Sequence, residues 1–357
     1  MPKNARGCSA LRRSAGPAVT IAAMNKAADA SPIVTPQTSP LASPSGVSGA
    51  STDAPGRRLD RDGVRARLGA ACRDWQIEVV DSTGSTNIDL LARLREDATC
   101  APVVRAAMIQ TAGRGQRGRA WQSVPGDSLT FSLAYVLPGG PAELAGLSLA
   151  TGVAVVEGLS DLPLSAPQAL GLKWPNDVLL RGGKLAGILI ETVPAGPGRI
   201  GVVIGIGVNL RQASDVAARI DNATATAAST TPTTSAPAPA AISATPPAAL
   251  ESILPEPDMT SVLAALIRRL TDMLARFGER GFDAFREDWE AMHAYRGASI
   301  RMIEHGRDVL HGVALGVDSQ GCLRVATDHG ERAIASGEVS VRLVDADAPL
   351  ASQGTRR

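Results

Sequence analysis

Charge of either sign in excess is the first thing missing: 36 Lys and Arg face 35 Asp and Glu, for a formal net charge of +1 over 357 residues. A near-neutral chain advertises no global field for DNA, RNA or an anionic membrane. Aromatics make up only 3%. The four cysteines, Cys8, Cys72, Cys100 and Cys322, lie far apart, without metal-ligand or redox spacing. That pattern reads as reduced thiols in a cytoplasmic protein. His293, His305, His311 and His329 crowd the last quarter without the spacing of a zinc site, so no metal residue is assigned. No apolar run approaches the ~20 residues that span a bilayer, so a soluble protein is expected.

What is present is patchy. Residues 1–56 are rich in Ala, Ser, Pro, Thr and Gly without apolar periodicity, a composition that cannot offset the entropy of ordering. Arg6, Arg12 and Arg13 before Ala18–Ala23 invite a signal-peptide reading. The apolar run is short, however, and we read a disordered extension, with Met24 as an alternative start. A second Ala/Thr/Ser/Pro block at 222–257 is expected to be a disordered insert in a surface loop, and 346–357 a short tail.

Between these blocks the periodicity alternates between helix and strand. Leu59, Val64, Leu68 and Cys72 predict a first helix, and Ile77–Val80 a strand. Ser85 or Thr86 is placed to cap a helix with Ile88, Leu91 and Leu94 on one side. Strands are predicted at 103–110, 128–136 and 200–210, and helices at 259–277 and 282–293. Pro141 is placed to open a long apolar helix to about Gly158. Asp177–Leu180 and Lys184–Thr192 flank Arg181-Gly182-Gly183, a hairpin signal. With Gly182-Gly183 as the turn, Asp177 lies opposite Ile188 and Lys184 lies beside the turn. Beyond Gly297, short alternating runs predict a small all-β module. The fold class is therefore α+β, with a catalytic region over 57–295 and a barrel-like appendage over 296–345.

Three segments carry chemistry. Gly113-Arg114-Gly115-Gln116-Arg117-Gly118-Arg119 joins flexible backbone to three guanidinium groups. It suits a phosphate or carboxylate, but is neither a Walker loop nor a dinucleotide fingerprint. A solvated basic loop explains it equally well; nucleic-acid contact is weakened by the absence of neighbouring basic clusters. Lys173-Trp174-Pro175-Asn176-Asp177 reads as the end of a strand facing a cleft, or as a buried Trp174 with ordinary neighbours. Lys184 at the mouth of its hairpin is either functional or a solvated turn lysine. Gly205-Ile206-Gly207-Val208-Asn209 ends a buried strand on one amide.

Taken in order, these segments resemble the biotin protein ligase family. The match runs through Ser85-Thr86-Asn87, Gln110-Thr111-Ala112-Gly113-Arg114-Gly115 and Arg117-Gly118-Arg119-Ala120-Trp121. It continues through Lys173-Trp174-Pro175-Asn176-Asp177, Gly183-Lys184-Leu185-Ala186-Gly187-Ile188-Leu189 and Gly205-Ile206-Gly207-Val208-Asn209. A weaker similarity follows at Gly337-Glu338-Val339-Ser340-Val341-Arg342. The resemblance implies a class II synthetase-like mixed sheet with helices and a C-terminal SH3-like β-barrel. It implies that biotin is joined to ATP, held as biotinyl-5′-AMP and passed to a lysine of the biotin carboxyl carrier protein of acetyl-CoA carboxylase, with Mg2+ accompanying ATP.

By motif position, Ser85, Thr86, Asn87, Gln110, Arg114, Gly115, Gln116 and Lys184 border biotin. Arg117, Arg119, Trp121, Lys173, Asn176, Asp177, Asn209 and Arg342 border the nucleotide. Lys184, Arg114 and Arg117 carry the catalytic work. Two departures stand out. Gln116 occupies a position where the family often has arginine, and no helix-turn-helix module precedes the catalytic region, so no specific DNA partner is expected. A homodimer is compatible with the sequence. The competing readings are a lipoate–protein ligase, whose substrate lacks the ureido ring that Ser85, Thr86 and Gln110 suit, and a non-catalytic biotin-binding regulator, which would need no triphosphate machinery.

Overall fold

The structure, a computed structural model, describes residues 54, 56–220, 245–304, 307–335 and 339–344. The tail before Ala54, the stretch 221–244, His305, Gly337-Glu338 and the residues after Val344 lie outside the described residues.

The main sheet has seven strands in the order β1-β2-β3-β7-β6-β5-β4. These are β1 (Gln76–Thr83), β2 (Val103–Gln110), β3 (Ser128–Pro138), β4 (Leu170–Lys173), β5 (Asp177–Leu180), β6 (Gly183–Pro194) and β7 (Arg199–Asn209). Only β1 and β2 run parallel; the other neighbours are antiparallel. The central strands are covered on both faces, which is why they read as apolar runs rather than alternations. Side chains alternate across the pleat. Leu133, Val202 and Ile204 therefore join the large core beneath α3 (Leu147–Ser160) and α5 (Met259–Arg280), while their neighbours Ala134 and Val203 pack with Leu90, Leu91 and Leu94 of α2 (Thr86–Glu96). Ile88, expected on that apolar side, is instead 45% exposed, because the buried stripe runs through Leu90, Leu91 and Leu94.

The first predicted helix is α1 (Arg61–Arg67) followed by a 3-10 turn at Ala70–Cys72. Asp60 caps α1 by accepting from Asp62 N, and Asp258 caps α5 by accepting from Ser261 N. The stretch Pro141–Ser160 has the length and hydropathy of a membrane span, contrary to the sequence expectation. It is not one rod. Pro141–Leu144 is a 3-10 turn, the chain swings out at Gly146 (φ 77°), and α3 begins at Leu147. The Phe282 ring lies where a Cβ on Gly146 would sit, so a side chain there would overlap it. α3 is apolar on all sides because it is sandwiched between sheet and α5.

Two register expectations change. The β5–β6 turn is Arg181-Gly182, both with positive φ (49° and 81°), so Leu180 pairs with Gly183. A register shift between Val178 and Leu179 then brings Asp177 opposite Gly187 rather than Ile188. Of the insert expected over 222–257, residues up to 244 lie outside the described residues and 245–257 are built into the fold: the helix α4 runs through 213–220, and from Thr245 the chain is laid onto β6. Lys184 N donates to Pro246 O at 2.7 Å and Ala248 N to Lys184 O at 2.9 Å, and Leu250 and Ile253 are buried. The apolar Ala248–Ile253 stretch gives this segment something to bury, which the Ala/Thr/Pro composition concealed.

After α6 (Arg286–Ala291) comes a five-stranded antiparallel sheet, ordered β11-β10-β9-β8-β12. Its strands are β8 (Ser299–Glu304), β9 (Arg307–Val317), β10 (Leu323–Thr327), β11 (Gly330–Ile334) and β12 (Val339–Leu343). Trp174 of the strand-end motif reaches it, donating its indole N–H to Gly321 O at 3.0 Å.

Candidate active site

Two adjoining cavities open at the ends of β6 and β7. The first, about 460 Å³, begins at the N-terminus of α2. Ser85, Thr86 and Asn87 are buried there. Helix N-termini leave backbone donors unpaired; here Gln110 Oε1, from the end of β2, accepts from Thr86 N at 2.9 Å. The polar chain continues inward. Thr86 Oγ1 lies 2.6 Å from Ser132 Oγ, Ser132 donates to Asn87 Oδ1 at 2.5 Å, and Asn87 Nδ2 donates to Glu191 Oε2 at 3.0 Å. Ile188, Leu189, Ile206 and Phe131 supply apolar wall. The glycines of β7 are required by close approach: a Cβ on Gly205 would overlap the Asn87 amide, and one on Gly207 the Trp121 indole.

The second cavity, about 1340 Å³ and open to solvent, is lined by cations. Lys173 ends β4, is 4% exposed, and donates to Thr245 Oγ1 at 2.7 Å. Burial pushes its ammonium down to about 8, against the opposing pull of Asp177. Lys184 Nζ stands 2.7 Å from Asp177 Oδ1, off the hydrogen-bond direction, and 5.6 Å from the Trp121 ring centroid. Arg342, from β12, is held below the usual guanidinium range by burial and then by Arg119. Burial likewise raises Tyr295, whose ring lies 5.8 Å from Lys173 Nζ. Asn176 Nδ2 donates to Ile188 O at 2.9 Å and Asn209 Nδ2 to Lys184 O at 3.2 Å. Asn209 Oδ1, Trp121 Nε1 and Arg342 Nε are buried without protein partners. Buried polar atoms are normally paired, so this wall, with both donors and an acceptor left over, suits a polar occupant, and the lysines and arginines around it favour one that carries negative charge.

The 113–121 loop roofs both cavities. It is bonded to itself: Gly115 N donates to Arg119 O at 2.7 Å and Trp121 N to Gly113 O at 3.0 Å. Its tip, Gln116–Gly118, turns through positive φ at Arg117 (59°) and Gly118 (70°).

Each residue expected at biotin lines the first cavity, and each residue expected at the nucleotide lines the second. Two of the expected catalytic residues have other partners. Arg114 pairs with Glu191 at 3.1 Å, because Glu191 projects from β6 beneath the loop. Arg117, whose backbone is left-handed, donates to Ser340 Oγ at 2.7 Å and to Val339 O of β12. Sequence reasoning passed over Thr130 and Ser132, although polar residues at alternate positions of an apolar strand were a visible signal. It also passed over Thr245 and Tyr295, which no local pattern marks.

Asp177 is the one carboxylate among the described residues lining the second cavity, and among the described residues no cluster of three or more His, Cys, Asp or Glu side chains is placed to hold a metal. A caged protein site for Mg2+ does not fit; a hydrated ion carried by phosphates, with Asp177 beside it, does.

Comparison with known proteins agrees with this geometry. Residues 77–209 match the biotin/lipoate A/B protein ligase family, and residues 297–342 the biotin protein ligase C-terminal domain. The chain is 34% identical over 280 residues to the biotin–[acetyl-CoA-carboxylase] ligase of Mycobacterium tuberculosis, covering 77% of this chain and 92% of that one. It is 34% identical over 262 residues to the enzyme of that name from Paracoccus denitrificans, covering 72% and 97%. A solved biotin protein ligase from Aquifex aeolicus, in complex with biotin and ATP, superposes with a TM-score of 0.54 at 26% identity, covering 76% of this chain and 98% of that one.

Proposed function

The chain belongs to the biotin/lipoate A/B protein ligase family, as a biotin protein ligase, and we propose that its two cavities bind biotin and ATP in the arrangement that the residues themselves suggest. It is an enzyme that activates biotin with ATP and transfers it to the carboxylase carrier. The observation that carries the site assignment is that Lys184, Asn176, Trp121, Gly115 and Gln116 line both cavities. Their junction is where a carboxylate from one side and an α-phosphate from the other would meet.

In this reading Thr86, Asn87, Gln110 and Ser132 hydrogen-bond the ureido ring, with the apolar wall on the thiophane and valeryl chain. A lipoyl group offers no partner for the hydrogen-bonding capacity that these groups have left beyond their bonds to one another, which favours biotin. Lys173, Arg119 and Arg342 hold the phosphates, and Asn209 and Trp121 the adenosine side. The biotin carboxylate oxygen attacks the α-phosphorus and pyrophosphate leaves. The carrier lysine amine then attacks the carbonyl, loses a proton and expels AMP. Lys184 bears on both steps, since negative charge develops on oxygens beside it. Mg2+, arriving with ATP, would supply charge neutralisation on the phosphates.

We take 57–295, with 245–257 inside it, as the catalytic domain and 296–345 as the second domain. The site of action proposed is the cytoplasm, and no DNA-reading role is proposed. Biotin-dependent exchange of labelled pyrophosphate into ATP tests the reading. Exchange with biotin and none with lipoate is expected; the reverse would overturn the pocket assignment.

A further inference from the structure

We propose that Arg117 is a latch: it binds no phosphate but joins the tip of the 113–121 loop to β12, so that loop and Arg342 close on the nucleotide as one unit. The proposal rests on the assignment of the second cavity to ATP.

Arg117 Nη1 donates to Ser340 Oγ at 2.7 Å and Nη2 to Val339 O. A planar fork that takes two oxygens at once fixes orientation as well as distance. The tip is shaped for this contact. Arg117 keeps a left-handed backbone at φ 59°, which residues with a side chain seldom adopt, and the cross-loop bonds to Gly113 and Arg119 make the loop one body. Residues two apart on a strand share a face, so the latch point Ser340 sits directly before Arg342 on the same side of β12.

The arrangement answers an electrostatic problem. Arg119, two residues after the latch, and Arg342, two residues after its docking point, both line the nucleotide cavity, and burial first and Arg119 second hold Arg342 below the usual guanidinium range. Two like charges gathered on a cavity repel each other until an anion arrives. A hydrogen-bonded tie on the neighbouring residues of both strands holds them in place beforehand. Arg117 is thus a positioning residue that acts through Arg119 and Arg342.

A double-mutant cycle separates this from direct phosphate binding. Arg117→Ala should raise the KM for ATP about tenfold, within the usual range for coupled sites. The biotin affinity of the ligand-free enzyme should stay near wild type, and kcat at saturating ATP should fall much less than KM rises. In an Arg342→Ala background the same change should add little. Arg117→Lys, which keeps the charge but loses the fork, should recover only part of the ATP affinity. Amide exchange of residues 339–343 in the ligand-free protein should quicken in both Arg117 variants. Multiplicative effects of Arg117→Ala and Arg342→Ala, full rescue by lysine, or unchanged exchange in β12 would each overturn the latch. If Arg117→Ala fails to fold, Arg117→Lys with the exchange measurement decides alone. Failure of the wild type to use biotin would refute the ligase reading instead, while the exchange measurement would still report on the tie.

Discussion

Lys184 and Lys173 are two ammonium groups in one cavity, and their surroundings give them different work. Lys184 starts β6 beside a two-residue turn, with its backbone N–H and carbonyl both bonded to the returning 246–248 segment. Its direction is therefore set before substrate arrives. Removing one such donor from a reacting centre typically costs about a hundred- to a thousandfold in rate. Lys184→Ala should lose that much in single-turnover formation of biotinyl-AMP while its unfolding midpoint stays close to wild type; a near-normal rate would leave Lys184 a turn lysine. Lys173 is buried, and its folded value of about 8 lies below the ordinary 10.5. Between those values the unfolded chain binds more protons, so this residue makes stability rise with pH across that window, and its burial penalty is complete below about pH 8. Lys173→Met should therefore stabilise the ligand-free protein at pH 7, with the gain fading towards pH 10. In the wild type the KM for ATP should climb as pH passes 8, and Lys173→Arg should flatten that climb. Denaturant melts and pH–KM profiles read both effects.

The elements around the site are close-fitted to one another. β7 presents Gly205 and Gly207 on the face that receives Asn87 and Trp121. A single methyl at position 207 would overlap the indole, and overpacking of this kind costs about 1–3 kcal/mol. Gly207→Ala should lower stability by that order and weaken both biotin and ATP, since Trp121 lines both cavities; calorimetric titration with each substrate checks it. Loss of only one affinity would show that the indole does not bridge the two sites. The segment from Thr245 belongs to the same design. It pairs with Lys184 and caps Lys173, so a stretch that composition assigns to an insert ends inside the active site.

At the scale of the whole molecule, the nucleotide cavity is shared between the seven-stranded sheet and the C-terminal sheet. Trp174 leaves the first to bond Gly321 O in the second, and Arg342 returns to the cavity from β12. Trp174→Phe keeps most of the buried ring but leaves the Gly321 carbonyl without its donor. A buried group left unpaired costs about 1–3 kcal/mol. Urea unfolding should show a loss of that order together with a raised KM for ATP. An unchanged KM with reduced stability would mean that the C-terminal sheet contributes to folding alone.

Much of this was legible in the primary structure, for local reasons. β2 spans the expected 103–110, and α5 runs from an aspartate cap through the expected 259–277 and on to Arg280. The motif residues line the two cavities in the groups that the family resemblance implied, whereas their chemistry alone left a solvated loop and a turn lysine as open readings. What local pattern could not decide was anything set by a partner distant in the chain. The break at Gly146 is imposed by Phe282, the ordering of 245–257 by a free stretch of β6 backbone, and the direction of Arg117 by β12, more than 200 residues downstream. In each case the deciding contact is absent from the sequence window, and exists only once the sheets have brought its two halves together.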